Sequence, residues 1–109
     1  MSDIIKQLYL VLQDRRNADP AESYVASLHK AGLNKILEKV GEEATETIIA
    51  AKDATVSTDV EEVIKETADL WFHTLVMLDH LDINPDRIMA ELESRFGTSG
   101  ILEKESRNN

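Results

Sequence analysis

Two acidic stretches decide the fold: Glu42-Glu43-Ala44-Thr45-Glu46 and, further along the chain, Glu66-Thr67-Ala68-Asp69. Residues three apart on an α-helix lie on one face, so each stretch presents a pair of neighbouring carboxylates. Apolar residues follow both stretches, as Ile48-Ile49-Ala50-Ala51 and as Leu70-Trp71-Phe72. A helix whose acids are flanked by apolar residues is covered on more than one side. We therefore expect the two helices to pack together and to bring four carboxylates into partly desolvated surroundings.

Four converging carboxylates repel one another unless they are protonated or bind a cation. Oxygen ligands favour Mg²⁺, and Mn²⁺ is possible. The pattern therefore predicts a metal site formed by Glu43, Glu46, Glu66 and Asp69. One alternative stays open, in which the acids are a solvated stripe on a non-enzymatic helical dimer that binds a partner protein.

Further polar residues near the acids are candidates for substrate binding. Lys39 lies one helical turn before Glu43, and Lys52 about one and a half turns after Glu46. His73, four residues after Asp69, is either a ligand or, more commonly for such a residue, a satisfied interior group. The chain has no Walker loop or dinucleotide fingerprint, so any phosphate chemistry must involve a metal. The substrate-binding candidates are Lys39, Lys35, Lys52, Ser23, Tyr24 and His73.

Composition limits the function classes. The 109 residues predict one domain, spanning residues 1–109. A formal net charge of −9 argues against nonspecific binding to nucleic acid or anionic membranes. The absence of cysteine excludes disulfides, thiol catalysis and zinc–thiolate sites. With no signal-peptide pattern and no apolar run of membrane length, we expect a cytoplasmic protein.

Helical periodicity and breaker residues predict an all-α bundle of about five helices, with no strand pattern. Asp19 and Pro20 read as the start of the second helix, and Gly32 as its C-cap. A turn is expected at 54–58, followed by a capping box of Asp59 and Glu62. A polar tail is expected from Gly97-Thr98-Ser99-Gly100. The predicted helices cover about residues 3–16, 20–30, 33–53, 59–81 and 84–96.

The two longest predicted helices each carry an apolar stripe. On the third helix the stripe is Leu37, Val40, Ala44, Ile48 and Ala51. On the fourth helix it is Val60, Ile64, Thr67, Trp71, Leu75 and Leu78. So short a chain buries only a modest core, and a core shared with another subunit would help to stabilise it.

At these residues the chain resembles a known group. The motifs Glu43-x-x-Glu46 and Glu66-x-x-Asp69 resemble the hallmark of the MazG-like all-α nucleoside triphosphate pyrophosphohydrolases. Further strings resemble the phosphoribosyl-ATP pyrophosphohydrolase family within that superfamily, and together they span about residues 20–100. These strings are Ser23-Tyr24-Val25-Ala26-Ser27-Leu28, Gly32-Leu33-Asn34-Lys35-Ile36-Leu37, Lys39-Val40-Gly41-Glu42, Ala68-Asp69-Leu70-Trp71-Phe72-His73 and Arg95-Phe96-Gly97-Thr98-Ser99-Gly100.

The resemblance implies an all-helical bundle in which the subunits of a homodimer or a higher homo-oligomer share a core. It implies metal-dependent hydrolysis of a small nucleotide, 1-(5-phosphoribosyl)-ATP, to the AMP form and pyrophosphate, the second step of histidine biosynthesis. Mg²⁺ would be held by the four acids of the two motifs, and the catalytic residues would be Glu42, Glu43 and Glu46, with Glu42 as a further ligand or as the base. The nearest rival is a superfamily enzyme that hydrolyses ordinary or damaged nucleotides. That enzyme need not share Ser23-Tyr24 or the segment 95–100.

Overall fold

The computed structural model describes residues 3–96, which form five α-helices and no strand within that range. The all-α prediction is therefore confirmed. Among these residues, no helix combines the length and the apolar character needed to cross a membrane. The helices are α1 (Ile4–Arg15), α2 (Tyr24–Ala31), α3 (Leu33–Ser57), α4 (Glu61–His80) and α5 (Asp86–Glu93).

The core lies around the C-terminal half of α4. Helices α1, α2 and α3 all contribute to it, and α3 also packs along α4 as the most extensive helix pair. This arrangement leaves the N-terminal half of α4 covered mainly by α3. The two acidic motifs lie along this contact, one on each helix. The buried apolar side chains of the core are Leu12, Val25, Leu28, Ile36, Leu75, Val76 and Leu78.

Helix α2 begins later than predicted. Asp19 does not cap a helix; its carbonyl accepts from the backbone N–H groups of Glu22 and Ser23, each at 2.9 Å, in a turn. The N-cap is Ser23, whose hydroxyl accepts from the Ala26 N–H at 3.2 Å. Asp19 and Ser23 both have side chains suited to capping, and only the position of the turn decides between them.

The predicted turn at 54–58 is also wrong, because α3 continues to Ser57. Neither glycine nor proline interrupts that segment, and the helix ends at Thr58 in a left-handed conformation with φ of 62°. The predicted capping box is replaced by a local contact, in which Asp59 Oδ1 accepts from the Glu61 N–H at 3.0 Å. Helix α5 ends at Glu93, before the predicted residue 96, and the predicted tail from Gly97 lies outside the described residues.

The face of α3 that packs inside the protomer is not its apolar stripe. The buried positions Ile36, Glu43 and Ala50 repeat every seven residues and face the rest of the chain. The predicted stripe lies beside that face, and Ile48 within it is 69% exposed. On α4, Trp71 is 56% exposed in the same way. The intramolecular packing therefore uses the acidic face and leaves much of the apolar surface uncovered.

Candidate metal centre and active site

Three carboxylates from two helices converge where α3 packs against α4. Glu43 and Glu46 lie one turn apart on α3, and Glu66 lies on α4. One carboxylate oxygen from each of the three lies within 4.8 Å of those of the other two. The structure thus brings together three of the four residues predicted to bind metal, and it does so through the helix pairing that the spacing predicted.

Burial makes this cluster more than a stripe of surface acids. Glu43 is only 6% exposed, Glu66 is half-buried and Glu46 is exposed. Within residues 3–96, the Oε2 atoms of Glu43 and Glu66 are buried and have no hydrogen-bond partner. A buried carboxylate oxygen without a donor is unfavourable unless a proton or a cation faces it. The donor set, made only of carboxylate oxygens, fits a hard divalent cation such as Mg²⁺.

The close approach of the acids raises the pKa of Glu66. Its pKa is raised from 4.5 to about 7, first by the hydrogen bond that the protonated carboxyl group shares with Glu46, then by burial and by the charge of Glu46. A hydrogen bond with Glu62 and the charge of Glu43 raise it further. Without a cation the cluster therefore retains a proton near neutral pH, as closely placed like charges require.

Two further acids border the cluster, and sequence analysis did not select them as ligands. Glu62 precedes Glu66 by one turn of α4, and Asp53 lies two turns after Glu46 on α3. Both line a cleft of about 190 Å³ together with Glu46, Glu66 and the apolar pair Ile49 and Ala50. The signal available in the sequence was the i, i+4 and i, i+7 spacing, which places all these acids on the facing sides of α3 and α4.

Asp69 and Glu42 lie beside the cluster rather than within it. The carboxylate of Asp69 is exposed, and the group of three oxygens does not include it, although Asp69 follows Glu66 by one turn. The side chain of Glu42 is 50% exposed, and its Oε2 lies 3.1 Å from Lys39 Nζ. Their predicted roles, as ligand and as base or further ligand, stay predictions.

Lys39 is the cation closest to the acids among the described residues. Its Nζ lies 3.1 Å from Glu42 Oε2 and 3.6 Å from Glu43 Oε1, and its side chain is 23% exposed. The hydrogen bond with Glu42 raises the pKa of Lys39, although burial opposes it. The ammonium therefore stays charged beside Glu43, where it partly neutralises the cluster.

Tyr24 and His73 form a fixed pair next to the acids. The Tyr24 hydroxyl lies 2.8 Å from His73 Nε2, and His73 Nδ1 lies 2.8 Å from the Asp69 carbonyl. A carbonyl only accepts, so Nδ1 carries the hydrogen and Nε2 accepts from the tyrosine. His73 is buried with both ring nitrogens satisfied, which is the interior arrangement weighed for it. Partial burial raises the pKa of Tyr24, and the positive charge of Lys39 lowers it. The negative charges of Glu43, Glu42 and Asp69 raise it further. The phenol is therefore close enough to the acids for their charges to act on it.

A larger cleft adjoins Tyr24 on the side of α1. Its volume is about 390 Å³, within the usual range for small-molecule sites. The Tyr24 ring lies nearly parallel to Phe72, with centroids 6.3 Å apart and planes inclined by 20°. Ser23 lines the same cleft and also caps α2, so its hydroxyl is already engaged. The cleft is lined by Arg15, Ala18, Asp19, Glu22, Ser23, Tyr24, Val25 and Phe72.

The remaining two candidates lie at the surface. Lys35 is 48% exposed at its side chain, and its Nζ lies 3.7 Å from Glu38 Oε1. Lys52 is exposed near the end of α3, one residue before Asp53. Neither is positioned by burial, so their predicted contact with substrate phosphates stays a prediction.

Comparison with known families gives the same answer as the two acid motifs. The sequence model of one family, described as phosphoribosyl-ATP pyrophosphohydrolase, matches residues 5–96. The match covers α2 to α5 and all of α1 except Ile4, and it includes every candidate site residue named above. The chain therefore belongs to the phosphoribosyl-ATP pyrophosphohydrolase family, hydrolases that act on phosphoribosyl-ATP in histidine biosynthesis.

Proposed function

We propose that Glu43, Glu46 and Glu66 hold the Mg²⁺ ion, or alternatively Mn²⁺, with which this chain hydrolyses phosphoribosyl-ATP. The observation that supports the proposal is the convergence of their oxygens within 4.8 Å, with two buried oxygens that lack a donor among the described residues. Asp69, one turn beyond Glu66, is proposed as the fourth ligand. Glu62, one turn before Glu66, is the alternative fourth ligand.

The bound cation would neutralise triphosphate charge and lower the pKa of the attacking water, the two roles that such a site supplies. Side chains of the protein provide the ligand geometry and a second positive charge. Glu43 and Glu46 set the ligand geometry from a single rigid helix, and Lys39 holds a positive charge beside Glu43. Because the chain carries a net charge of −9, a local cation and Lys39 are what make this surface acceptable to a polyphosphate.

We propose Glu42 as the residue that accepts the proton of the attacking water. Its side chain is half-exposed and lies one residue from the buried Glu43, so it reaches solvent at the edge of the cluster. Lys39, at 3.1 Å, holds this carboxylate in place. In the reaction, water attacks the α-phosphorus, and the bond between this phosphorus and the oxygen that bridges it to the β-phosphorus breaks. Pyrophosphate is the leaving group, and phosphoribosyl-AMP is the other product.

The nucleoside part of the substrate is proposed to lie in the cleft beside Tyr24. A nucleobase stacks on exposed aromatic rings, and the face of Tyr24, backed by Phe72, offers such a surface. The hydrogen bond to His73 prevents this ring from turning away. Glu22, also in the cleft, offers a carboxylate to ribose hydroxyls, while Lys35 and Lys52 remain proposed contacts for outer phosphates.

The chain is further proposed to work as a homodimer or higher homo-oligomer. Much of the apolar stripe on α3 and the N-terminal part of the stripe on α4 lie outside the intramolecular packing, and a second copy of the same surface would cover both. The exposed members with more than half of their surface accessible are Ile48, Val60, Ile64 and Trp71. The cytoplasmic location also stays a prediction.

The deciding experiment is pyrophosphate release from phosphoribosyl-ATP, with ATP and dUTP as control substrates, in Mg²⁺ and in EDTA. Wild type is compared with Glu46→Gln and with Glu38→Gln, a matched change on α3 at a residue whose side chain is 65% exposed. We expect Mg²⁺-dependent turnover that is lost only in Glu46→Gln. Turnover that persists in EDTA, or an equal loss in both variants, would contradict the metal site.

A further inference from the structure

A second, partly buried group of titratable residues lies at the C-terminal end of α4, roughly 20 Å along the helix from Glu66 by the rise per residue. His29 Nδ1, in the last turn of α2, lies 2.8 Å from His80 Nδ1, at the end of α4. The ring centroids are 5.1 Å apart and the planes are inclined by 20°. The distance between the centroids equals the 2.8 Å between the two Nδ1 atoms plus the radii of the two rings, so both Nδ1 atoms lie on the line that joins the centroids. The rings therefore meet edge to edge in nearly one plane, as a direct N–H···N hydrogen bond requires.

The partners of His29 fix which ring donates. His29 Nε2 lies 3.5 Å from Asp79 Oδ2, and both atoms are buried without a hydrogen-bond partner among residues 3–96. A carboxylate only accepts, so a hydrogen on His29 Nε2 is the favourable one. His29 then accepts at Nδ1, and His80 donates from its own Nδ1. The order of donation is His80 to His29, with His29 facing Asp79.

Asp79 lies against Arg16, the C-cap residue of α1. It is 2% exposed, Arg16 Nη1 donates to its carbonyl at 2.9 Å, and the same Nη1 lies 3.6 Å from Asp79 Oδ1. Arg16 also lies 3.5 Å from Asp82 Oδ1, which keeps the guanidinium in place. Burial raises the pKa of the nearby Tyr9, and Asp79 and Asp82 raise it further, so this phenol remains neutral. The charged or titratable groups around the histidine pair are Tyr9, Arg16, Asp79 and Asp82.

The pair tolerates one added proton but not two. A proton placed on His80 Nε2 leaves the Nδ1–H donor of His80 unchanged, so the hydrogen bond between the rings survives it. A second proton must bind to His29 Nδ1, the acceptor, and two N–H groups then face each other at 2.8 Å. Burial, followed by the charge of Arg16, lowers the pKa of His29, so this second step requires acid.

The pair holds α2 in register with α4. At its other end α2 is attached by the hydrogen bond from Tyr24 to His73, so two side-chain hydrogen bonds tie the ends of α2 to α4, in addition to the packing of Val25 and Leu28 in the core. Directly after α2 the chain passes through Gly32, with φ of 103°, into α3. Release of the C-terminal end of α2 would therefore act on Tyr24 at one end and on the α2–α3 junction at the other.

We propose that His29 and His80 form a pH-sensitive clamp that positions α2, and with it Tyr24, against α4, and that double protonation of the pair opens the clamp. The two histidines are positioning residues, remote from the reacting atoms. The effect on catalysis rests on the proposed function of the Tyr24 cleft, whereas the clamp itself does not.

The direct test is the protonation and tautomer of the histidines, observed by imidazole ¹⁵N NMR across pH 5–8. The chain has three histidines, so single variants assign the signals. At pH 7.5 we expect hydrogen on Nε2 of His29 and on Nδ1 of His80. Identical tautomers in the two rings, or independent titration of both near the ordinary value of about 6.5, would overturn the clamp.

The functional arm compares wild type with His80→Asn and His80→Leu. Asparagine offers either a donor or an acceptor by turning its amide, so the contact with His29 survives protonation; leucine removes the contact at every pH. At saturating Mg²⁺ we expect the KM of the wild type to rise between pH 7.5 and pH 5.5 by roughly fivefold more than the KM of His80→Asn. A factor of about five is at the lower end of the usual coupling between two sites. In His80→Leu the KM should be high throughout.

The two arms separate the possible failures. All three proteins share Glu66, so acid effects on the metal site cancel in the comparison. Parallel KM profiles for wild type and His80→Asn would overturn the positioning role. If no protein hydrolyses phosphoribosyl-ATP, the proposed function fails while the NMR result still decides whether the clamp exists.

Discussion

The carboxylates of Glu43 and Glu66 lie on different helices, yet their oxygens approach within 4.8 Å, and each has a buried Oε2 without a donor in the described part of the chain. A protein gains nothing in stability from two such groups placed together. The arrangement lowers the free energy only when a proton or a cation is shared between them, and this property gives the first prediction.

In the absence of divalent metal, stability should fall as the pH rises from about 4.5 to about 7. The pKa of Glu66 is raised in the folded state from 4.5 to about 7, chiefly by the hydrogen bond with Glu46, so over this range the folded state binds more protons than the unfolded state. By linkage, the free energy of unfolding then decreases with pH. Thermal unfolding followed by circular dichroism in EDTA, at steps between pH 4.5 and 8, measures the change.

Mg²⁺ should reverse this loss at pH 7 and above, because a cation replaces the shared proton. Glu66→Gln should remove most of the pH dependence in EDTA, and Glu38→Gln should leave it as in wild type. If the stability of wild type and of Glu66→Gln changed equally with pH in EDTA, the proton would not be on this cluster.

Glu43→Gln should reduce kcat/KM by roughly a hundredfold or more, since even an outer partner of a metal ligand typically contributes 10–100-fold. Glutamine matches the size of Glu43, so the buried site stays filled while the charge that binds the cation is lost. Steady-state pyrophosphate release over a range of Mg²⁺ concentrations is the measurement. Recovery of wild-type turnover at high Mg²⁺ would mean that Glu43 acts only on affinity for the metal.

Tyr24→Phe should destabilise the fold by about 1–3 kcal/mol, because it leaves Nε2 of the buried His73 without its donor. It should also raise the KM for phosphoribosyl-ATP, because the ring is no longer held in one orientation beside the cleft. Urea unfolding and steady-state kinetics report the two effects separately. Ser27→Ala is the control, because it removes a 2.6 Å hydrogen bond to the carbonyl of Tyr24 but leaves the ring and the hydroxyl of Tyr24 unchanged. An unchanged KM would remove Tyr24 from the substrate site.

Trp71→Glu should convert the oligomer to monomers, because it places a charge in the apolar stripe that a second copy is proposed to cover. Leu10→Glu is a matched control, since Leu10 is 55% exposed on α1 and Trp71 is 56% exposed on α4. Sedimentation velocity gives the mass of each protein. Dissociation of the Leu10 variant alone would place the interface on α1, and a monomeric wild type would contradict the shared core.

Local patterns predicted much of the helical structure, with errors at the ends of helices. The all-α class and the approximate position of each helix followed from periodicity, because side chains three and four residues apart share a face regardless of context. The start of α2 and the end of α3 were wrong because several residues there suit a cap or a turn equally well. Asp19 and Ser23 both have side chains that cap helices, and the segment after Ala54 contains no residue that stops one.

The sequence by itself determined that Glu43 pairs with Glu46 and that Glu66 and Asp69 share a helix face, since helix geometry sets these relations within one element. Only the tertiary structure decided that Glu66 joins the α3 pair while Asp69 lies beside it, and that α3 packs inside the protomer with the face of Glu43 and not with its apolar stripe. The rotation and offset of one helix against another depend on the fit of many side chains at once, which no periodic pattern encodes. The contact of His29 with His80 is of the same kind, because it joins residues 51 positions apart that share no local motif.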